Sequence, residues 1–375
     1  MATMTDDRQK GLQIFPGSEL ETVADIGIWI TSPEGVRFVP GFIYTALLPF
    51  LRESRLKGDE LAALVSKEHC YAAAYHAIAI LERVGVISAG KQSAIEPHAL
   101  ARSHVECLAG TANWVAAARA QESRRPDRLF DDPLAGQLAG EGGFGWIAKR
   151  AHWVDGLAIR TRFFDDFLRD ATRSGAIRQV VSLASGLDIR AWCLDWPEGV
   201  RILELDRQVV LAKKLHTADT AGYRGCPHAT FISADLTAGW THLLLDERLG
   251  FDPAEPTAWL LEGLLVYLER HHVERLLDDV AELSTTGSRL GIDLVSGSVL
   301  DPRRNFLWLK ELREQGCPWR FGTDEPAALL ECQGWDASVV ALEEAERRYG
   351  RSSSDSPMQG SYYRFVTAYR KRCDR

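Results

Sequence analysis

Three acids close three successive apolar runs, and acids so placed can hold hydroxyl, amine or ammonium groups of a ligand. Asp206 follows the run 200–205, Asp235 lies in the run 230–236, and Glu262 interrupts the run 257–268. Upstream, Val180, Val181 and Leu183 lead into Ala184, Ser185 and Gly186. This pattern predicts a buried strand and a tight turn of small residues, where a ligand can approach the backbone and a following helix offers free N–H groups. Asp206 stands about 20 residues beyond Gly186, the position that holds ribose hydroxyls in nucleotide-binding α/β folds. The turn carries one glycine where the dinucleotide fingerprint has three. By themselves these residues therefore fit a nucleotide site and a plain strand–turn–helix connection equally well, and each acid taken alone fits a solvated turn.

The elements that would position these residues alternate. Apolar strand patterns at 180–183, 200–206, 230–236, 257–268 and 288–295 are interleaved with helical ones, and two more strands are expected at 335–340 and 363–369, the last pair antiparallel. Alternation of this kind predicts an α/β protein with a parallel, doubly wound sheet that presents ligands at the carboxyl ends of its strands. Helices are expected at 111–122, 156–168 and 271–283. In the second of these Leu157, Phe163, Phe164, Phe167 and Leu168 form an inner side, with Arg160 and Arg162 at its start. Residues separated by two positions on an α-helix point about 200° apart, so these two arginines should serve different groups.

The chain of 375 residues suggests two domains, and 46% hydrophobic with 26% charged residues is ordinary for a globular protein. A net charge of −8 gives no reason to expect a nucleic acid or an anionic membrane as partner. The acidic N-terminus is unlike a signal peptide, and seven scattered cysteines without a CxxC pair read as reduced thiols, not as a disulfide frame or a metal site. The expectation is a soluble cytoplasmic protein.

Residues 1–20 are expected to fray. Residues 21–95 suggest a smaller, mainly helical domain, with helices at 42–51, about 58–65 and 71–84 and a short strand at 85–87, an order that resembles a winged helix. The would-be recognition helix at 71–81 offers almost nothing to phosphate or base edges, and residues 1–95 carry 9 Lys/Arg against 11 Asp/Glu. Both argue against DNA and for a homodimerising unit that walls a substrate site. Residues 90–110 read as a connector, and 96–375 as the main domain.

The run Leu183-Ala-Ser-Gly-Leu-Asp-Ile-Arg-Ala191 with Glu204-Leu-Asp206 resembles the cofactor-binding core of the leucine carboxyl methyltransferase-like family of class I S-adenosylmethionine (AdoMet)-dependent methyltransferases. Arg160-Thr-Arg-Phe-Phe-Asp165 and Leu261-Glu-Gly-Leu-Leu-Val-Tyr267 carry the same resemblance, which covers roughly residues 105–370. It implies a Rossmann-like seven-stranded sheet with AdoMet as cofactor. By that match Asp206 contacts the ribose, Asp235 and Leu236 the adenine, and Glu262 the methionine end. Ala184, Ser185 and Gly186 form the cofactor turn, Arg160 faces the methionyl carboxylate, and Arg119 closes over it. Ala184 replaces the family's first glycine.

The implied activity is O-methylation, with a carboxylate of a small molecule or peptide as acceptor, in a setting such as secondary metabolism. A carboxylic acid is already ionised at neutral pH and needs no general base, so no catalytic residue is assigned. Arg162, Tyr267 and His271 stand as candidates on the acceptor side, and no metal is expected. The alternatives are methylation of a hydroxyl or amine, or a non-catalytic AdoMet-binding regulator.

Overall fold

The computed structural model describes residues 97–223, 226, 228–352 and 362–371, with side chains from Gly110 onward, together with the backbone of five short strands nearer the N-terminus. The chain divides into two units, residues 1–108 with 310–318, and residues 109–309 with 319–375.

In the first unit β1 (Gln13–Ile14) pairs antiparallel with β5 (Ile87–Ser88). Strands β2 (Glu19–Val23), β3 (Gly27–Ser32) and β4 (Gly35–Pro40) form a three-stranded antiparallel meander. These strands correct the expectation of a frayed segment at 1–20 and of a unit whose first elements are helices. Ile28-Trp-Ile-Thr and Val36-Arg-Phe-Val are rich in the β-branched and aromatic residues that favour strands. The three helices expected between 42 and 84 lie outside the described residues, and with them the winged-helix arrangement. The connector expected at 90–110 is also corrected. Helix α1 runs from Pro97 to Ser123 and continues from the first unit into the second.

The second unit is built on a seven-stranded sheet. Its members are β6 (Gln179–Leu183), β7 (Arg201–Asp206), β8 (Ala229–Ser233), β9 (Thr257–Leu261), β10 (Arg289–Val295), β11 (Trp335–Ala341) and β12 (Tyr363–Arg370), in the order β11-β12-β10-β9-β6-β7-β8. The strands from β10 to β8 are parallel, and β12 inserts antiparallel between β10 and β11. Because β11 is itself antiparallel to β12, only β12 opposes the common direction. All seven strands expected from the sequence are present. The order reverses between β6 and β9, and open α/β sheets bind ligands at the carboxyl ends of the strands at such a point.

Side chains alternate across the sheet into two cores. On one face Val180, Ile202, Ala258, Leu260 and Phe365 pack with Phe163, Phe164 and Phe167 of helix α3 (Trp153–Thr172). On the other, Val181, Leu203, Trp259, Ile292 and Val366 pack with Val273, Leu276, Leu277 and Val280 of helix α7 (Arg270–Glu282). Between α1 and α3 lies α2 (Ala135–Ala148), followed along the chain by α4 (Arg190–Cys193), α5 (Gln208–Thr220) and α6 (Thr241–Leu244). After β10 come α8 (Pro302–Glu314), α9 (Pro326–Glu331) and α10 (Leu342–Tyr349). Among the described residues no helix is long and apolar enough to cross a membrane.

Candidate active site

The turn after β6 is held in an unusual backbone conformation. Ala184 and Gly186 both have φ of +56°, and Ala184 is the only non-glycine with positive φ among the described residues. An L-residue there is strained by roughly 1 kcal/mol or more. The surroundings hold it. The Ser185 N–H donates to the Leu205 carbonyl at 3.2 Å, and the Gly186 N–H donates to Asp206 Oδ2 at 2.6 Å. Beneath the turn Lys214 of α5 is fully buried, donating to Ser185 Oγ at 3.1 Å and to Glu204 Oε2 at 2.5 Å. Burial raises the Glu204 carboxyl, against the pull of Lys214.

The helix expected to follow the turn is a single turn, α4. The Gly186 amide is taken by Asp206, whose other oxygen accepts the Arg207 N–H at 2.6 Å. Asp206 is 9% exposed, and burial lifts its carboxyl above the ordinary range despite those two amides. The Ala234 N–H donates to the Asp206 carbonyl, which sets the ends of β7 and β8 side by side. There Asp235 Oδ1 accepts from the Thr237 hydroxyl at 2.7 Å and amide at 3.0 Å, with Arg207 Nη2 3.5 Å from Oδ2. Burial works against this half-exposed carboxyl, but the Thr237 bonds and Arg207 outweigh it and lower its pKa. Leu236 is half-buried against the second core.

At the ends of β9 and β10 the charges are denser. Glu262 lies between two buried arginines, accepting from Arg160 Nε at 2.8 Å and from Arg190 Nη1 at 2.7 Å. Burial would raise its carboxyl, yet Arg190 and Arg160 together lower it. Arg160 Nη1 also donates to the Tyr363 hydroxyl at 3.2 Å, and that hydroxyl donates to Asp293 Oδ2. Asp293 Oδ1 takes the Gly263 N–H at 2.6 Å. Gly263 has φ of +66°, and a Cβ at that position would sit 3.1 Å from Arg160 Nη1, so both the backbone and the guanidinium require glycine here.

Arg190 is the residue with the most partners. Its Nε donates to Asp165 Oδ1 at 2.5 Å, its Nη1 to Asp188 Oδ2 at 2.6 Å and to Glu262, and its Nη2 to the Thr161 carbonyl at 3.0 Å. The Asp188 carboxylate also ties back to the Arg190 amide at 2.7 Å. Arg119 approaches the same carboxylate at 3.9 Å, donates to the Leu187 carbonyl, and pairs with Asp132 at 2.9 Å.

The structure thus brings Arg119, Arg160, Ala184, Ser185, Gly186, Asp206, Asp235, Leu236 and Glu262 to the turn, the strand ends or the charge network that joins them. It separates Arg162, whose Nε donates to Asp166 at 2.9 Å and whose Nη1 donates to the Leu129 carbonyl at 2.9 Å. Tyr267 ends a 3₁₀ turn at Leu265–Tyr267, and His271 is exposed in the first turn of α7, its ring 3.9 Å from that of His272. Sequence reasoning passed over Arg190, Asp188, Asp165, Asp293, Tyr363 and Lys214. A signal existed for Asp293, a carboxylate inside an otherwise apolar strand, which must find a partner when buried.

Comparison with known proteins identifies the family. Residues 112–281 match the family model described as leucine carboxyl methyltransferase. A protein of Parafrankia sp. (strain EAN1pec), named by inference as an AdoMet-dependent methyltransferase, is 42% identical over 64% of this chain and 84% of its own length. One from Mycobacterium sp. (strain JLS), named in the same way, is 36% identical over 70% of this chain and 95% of its own. The chain belongs to the leucine carboxyl methyltransferase family. It is an AdoMet-dependent methyltransferase, and the reading as a non-catalytic regulator is set aside. A solved DUF574 family protein from Streptomyces avermitilis covers 68% of this chain and 97% of its own at 13% identity, with a TM-score of 0.48.

The donor set suits AdoMet: carboxylates at the strand ends for its hydroxyls and cations, and guanidiniums for its carboxylate. A cofactor held there would supply an electrophilic methyl group on a sulfonium. Among the described residues no cluster of His, Cys, Asp or Glu has the arrangement of a metal site.

Breaking a buried ion network by removing one partner costs about 3–5 kcal/mol, because the opposite charges are left without compensation. Arg190→Met is therefore expected to lower unfolding stability by about that amount. Arg190→Lys, which keeps the charge but loses the planar fork, should fall between. Urea unfolding that gives Arg190→Met the wild-type midpoint would remove Arg190 from the centre of the network.

Proposed function

We propose that the protein transfers the AdoMet methyl group to a carboxylate oxygen of a small molecule or peptide. The observation that carries this reading is the saturation of the rim. Asp165, Asp188, Glu262 and Asp293 each already face a guanidinium, and Asp206 and Asp235 accept backbone or hydroxyl donors. His271 and His272 begin α7, just beyond Tyr267, and His271 is exposed. No uncommitted base stands beside Glu262 among the groups described at the rim, and an ionised carboxylate acceptor requires none. Its attack on the sulfonium methyl depends on alignment and exclusion of water, which a rigid charged rim supports.

In this reading Asp206 holds the ribose, Asp235 and Leu236 the adenine end, and Glu262 with Arg160 and Arg119 the methionyl end. Arg162 stays on the far side of α3 with Asp166, a supporting position. A hydroxyl or amine acceptor is the second reading, and Tyr267 the candidate that would favour it. The protein would act in the cytoplasm, in a setting such as secondary metabolism, with residues 21–95 as a winged-helix-like unit that does not bind nucleic acid.

Three measurements check these assignments. Incubation with methyl-labelled AdoMet and a panel of carboxylic acids should give a product that loses its label in mild base, as esters do. A base-stable labelled product would instead select the hydroxyl or amine reading. In calorimetry, Asp206→Ala and Arg160→Ala should each raise the AdoMet dissociation constant by about one to two orders of magnitude, the scale of a charge-assisted pair. Arg162→Ala should leave it nearly unchanged, and the reverse order would refute the assignment of the two arginines. Finally, the apolar segments 42–51 and 71–81 are more than a small domain easily buries alone, so we read the protein as a homodimer through residues 21–95. Light scattering at micromolar concentration should give twice the chain mass, and a monomer would end that reading.

A further inference from the structure

Five of the eleven tryptophans gather in one cluster. Trp114 of α1 stacks on Trp146 of α2 at 4.4 Å and 4°, and Trp146 meets Trp153 of α3 edge-on at 6.1 Å. Trp153 in turn lies 4.9 Å from Trp308 of α8 and 6.4 Å from Trp319, which are 5.5 Å from each other. Four of these rings are only half-buried, while Trp153 is 9% exposed. The indole N–H groups of Trp153, Trp308 and Trp319 are buried without an acceptor, an unfavourable state for a polar group. Trp259 and Trp335 share it, but their rings are sealed inside the opposite core at 0% exposure.

The elements that carry these indoles also carry the cofactor rim. Helix α1 bears Trp114 and, five residues on, Arg119, and its Ala112 Cβ would be 3.9 Å from a Cβ on Gly186. On α3, Trp153 precedes Arg160 by seven residues, a rise of about 10 Å. The amides of Arg320 and Phe321, next to Trp319, both donate to the Val266 carbonyl, four residues beyond Glu262. Above the aromatic wall the Arg150 guanidinium lies 4.4 Å from the Trp146 ring.

We propose that this wall is the acceptor site, and that the acceptor is a planar aromatic acid. Its ring system stacks on the half-buried indoles, and its carboxylate reaches toward the Glu262 end of the rim. The proposal rests on the methyltransferase reading of that rim and adds the class of substrate.

The test uses the full chain with and without S-adenosylhomocysteine, with 2-naphthoate as probe and cyclohexanecarboxylate as its non-aromatic counterpart. Calorimetry and quenching of tryptophan fluorescence should show naphthoate binding at least tenfold tighter. Trp308→Leu and Trp319→Leu should each weaken naphthoate at least tenfold while shifting S-adenosylhomocysteine affinity less than twofold. Trp308→Phe, which keeps a ring in the wall, serves if the leucine variants fail to fold, and should weaken naphthoate by a smaller factor. Equal affinities for the two acids, or naphthoate binding untouched in well-folded variants, would overturn the aromatic site. Wild-type protein that binds naphthoate but not S-adenosylhomocysteine would uphold the wall and count against the rim as the cofactor site.

Discussion

A guanidinium almost cut off from water must be surrounded by acceptors, and the arrangement around Arg190 follows from that requirement. Its partners come from three places: Asp188 on its own turn, Asp165 and the Thr161 carbonyl on α3, and Glu262 at the end of β9. Taking such ions out of water costs several kcal/mol each, recovered only when geometry and count are right. The directions of the carboxyl shifts follow the count. Burial alone would raise all three, yet Glu262, facing two arginines, and Asp188, facing Arg190, Arg119 and Lys214, are lowered. Asp165 leans chiefly on Arg190, and there burial prevails. Displacing α3 or the turn would strand at least one of these charges.

That constraint explains how one helix separates two neighbouring arginines. The aromatic face of α3, with Phe163, Phe164 and Phe167, is fixed on the sheet by the first core. Once that face is fixed, Arg160 must turn toward Glu262, Asp293 and Tyr363, and Arg162 toward Asp166 and Leu129. The same logic acts below the turn after β6. Glu204 and Asp206 share one side of β7, so Lys214 can neutralise the first while the second clasps Gly186. A strained Ala184 is tolerated because its neighbours are bonded on both sides.

The sheet and most of the rim were legible because they rest on period and position. Alternating apolar runs give the seven strands, and an acid placed just past a buried strand falls at the carboxyl edge whatever the tertiary details. Less was legible where partners are distant in sequence. Arg190 sits in a run quoted for its glycine turn, but its contacts with Asp165 and Glu262 span 25 and 72 residues. Tyr363 and Asp293 meet only because β12 inserts antiparallel beside β10, with Tyr363 opposite Val295 in register. Helix α1 extends back to Pro97 through residues that read as a connector. The strands of the first unit were less legible because they are short and stand beside the stronger apolar patterns at 42–51 and 71–84.

The charge balance of the rim bears on its choice of cofactor state. Around the ends of β6, β9 and β10, Arg119, Arg160 and Arg190 face Asp132, Asp165, Asp188, Glu262 and Asp293. Three guanidiniums face five carboxylates, and burial raises Asp132, Asp165 and Asp293 above the ordinary carboxylate range. AdoMet is a net cation, carrying an ammonium and a sulfonium against one carboxylate, and its demethylated product has lost the sulfonium charge. With all five carboxylates ionised such a rim would favour the methyl donor over the spent product, and weak screening in the interior would preserve the difference. The same excess of carboxylates that surrounds Arg190 would then favour the reactive form of a cofactor held at this rim.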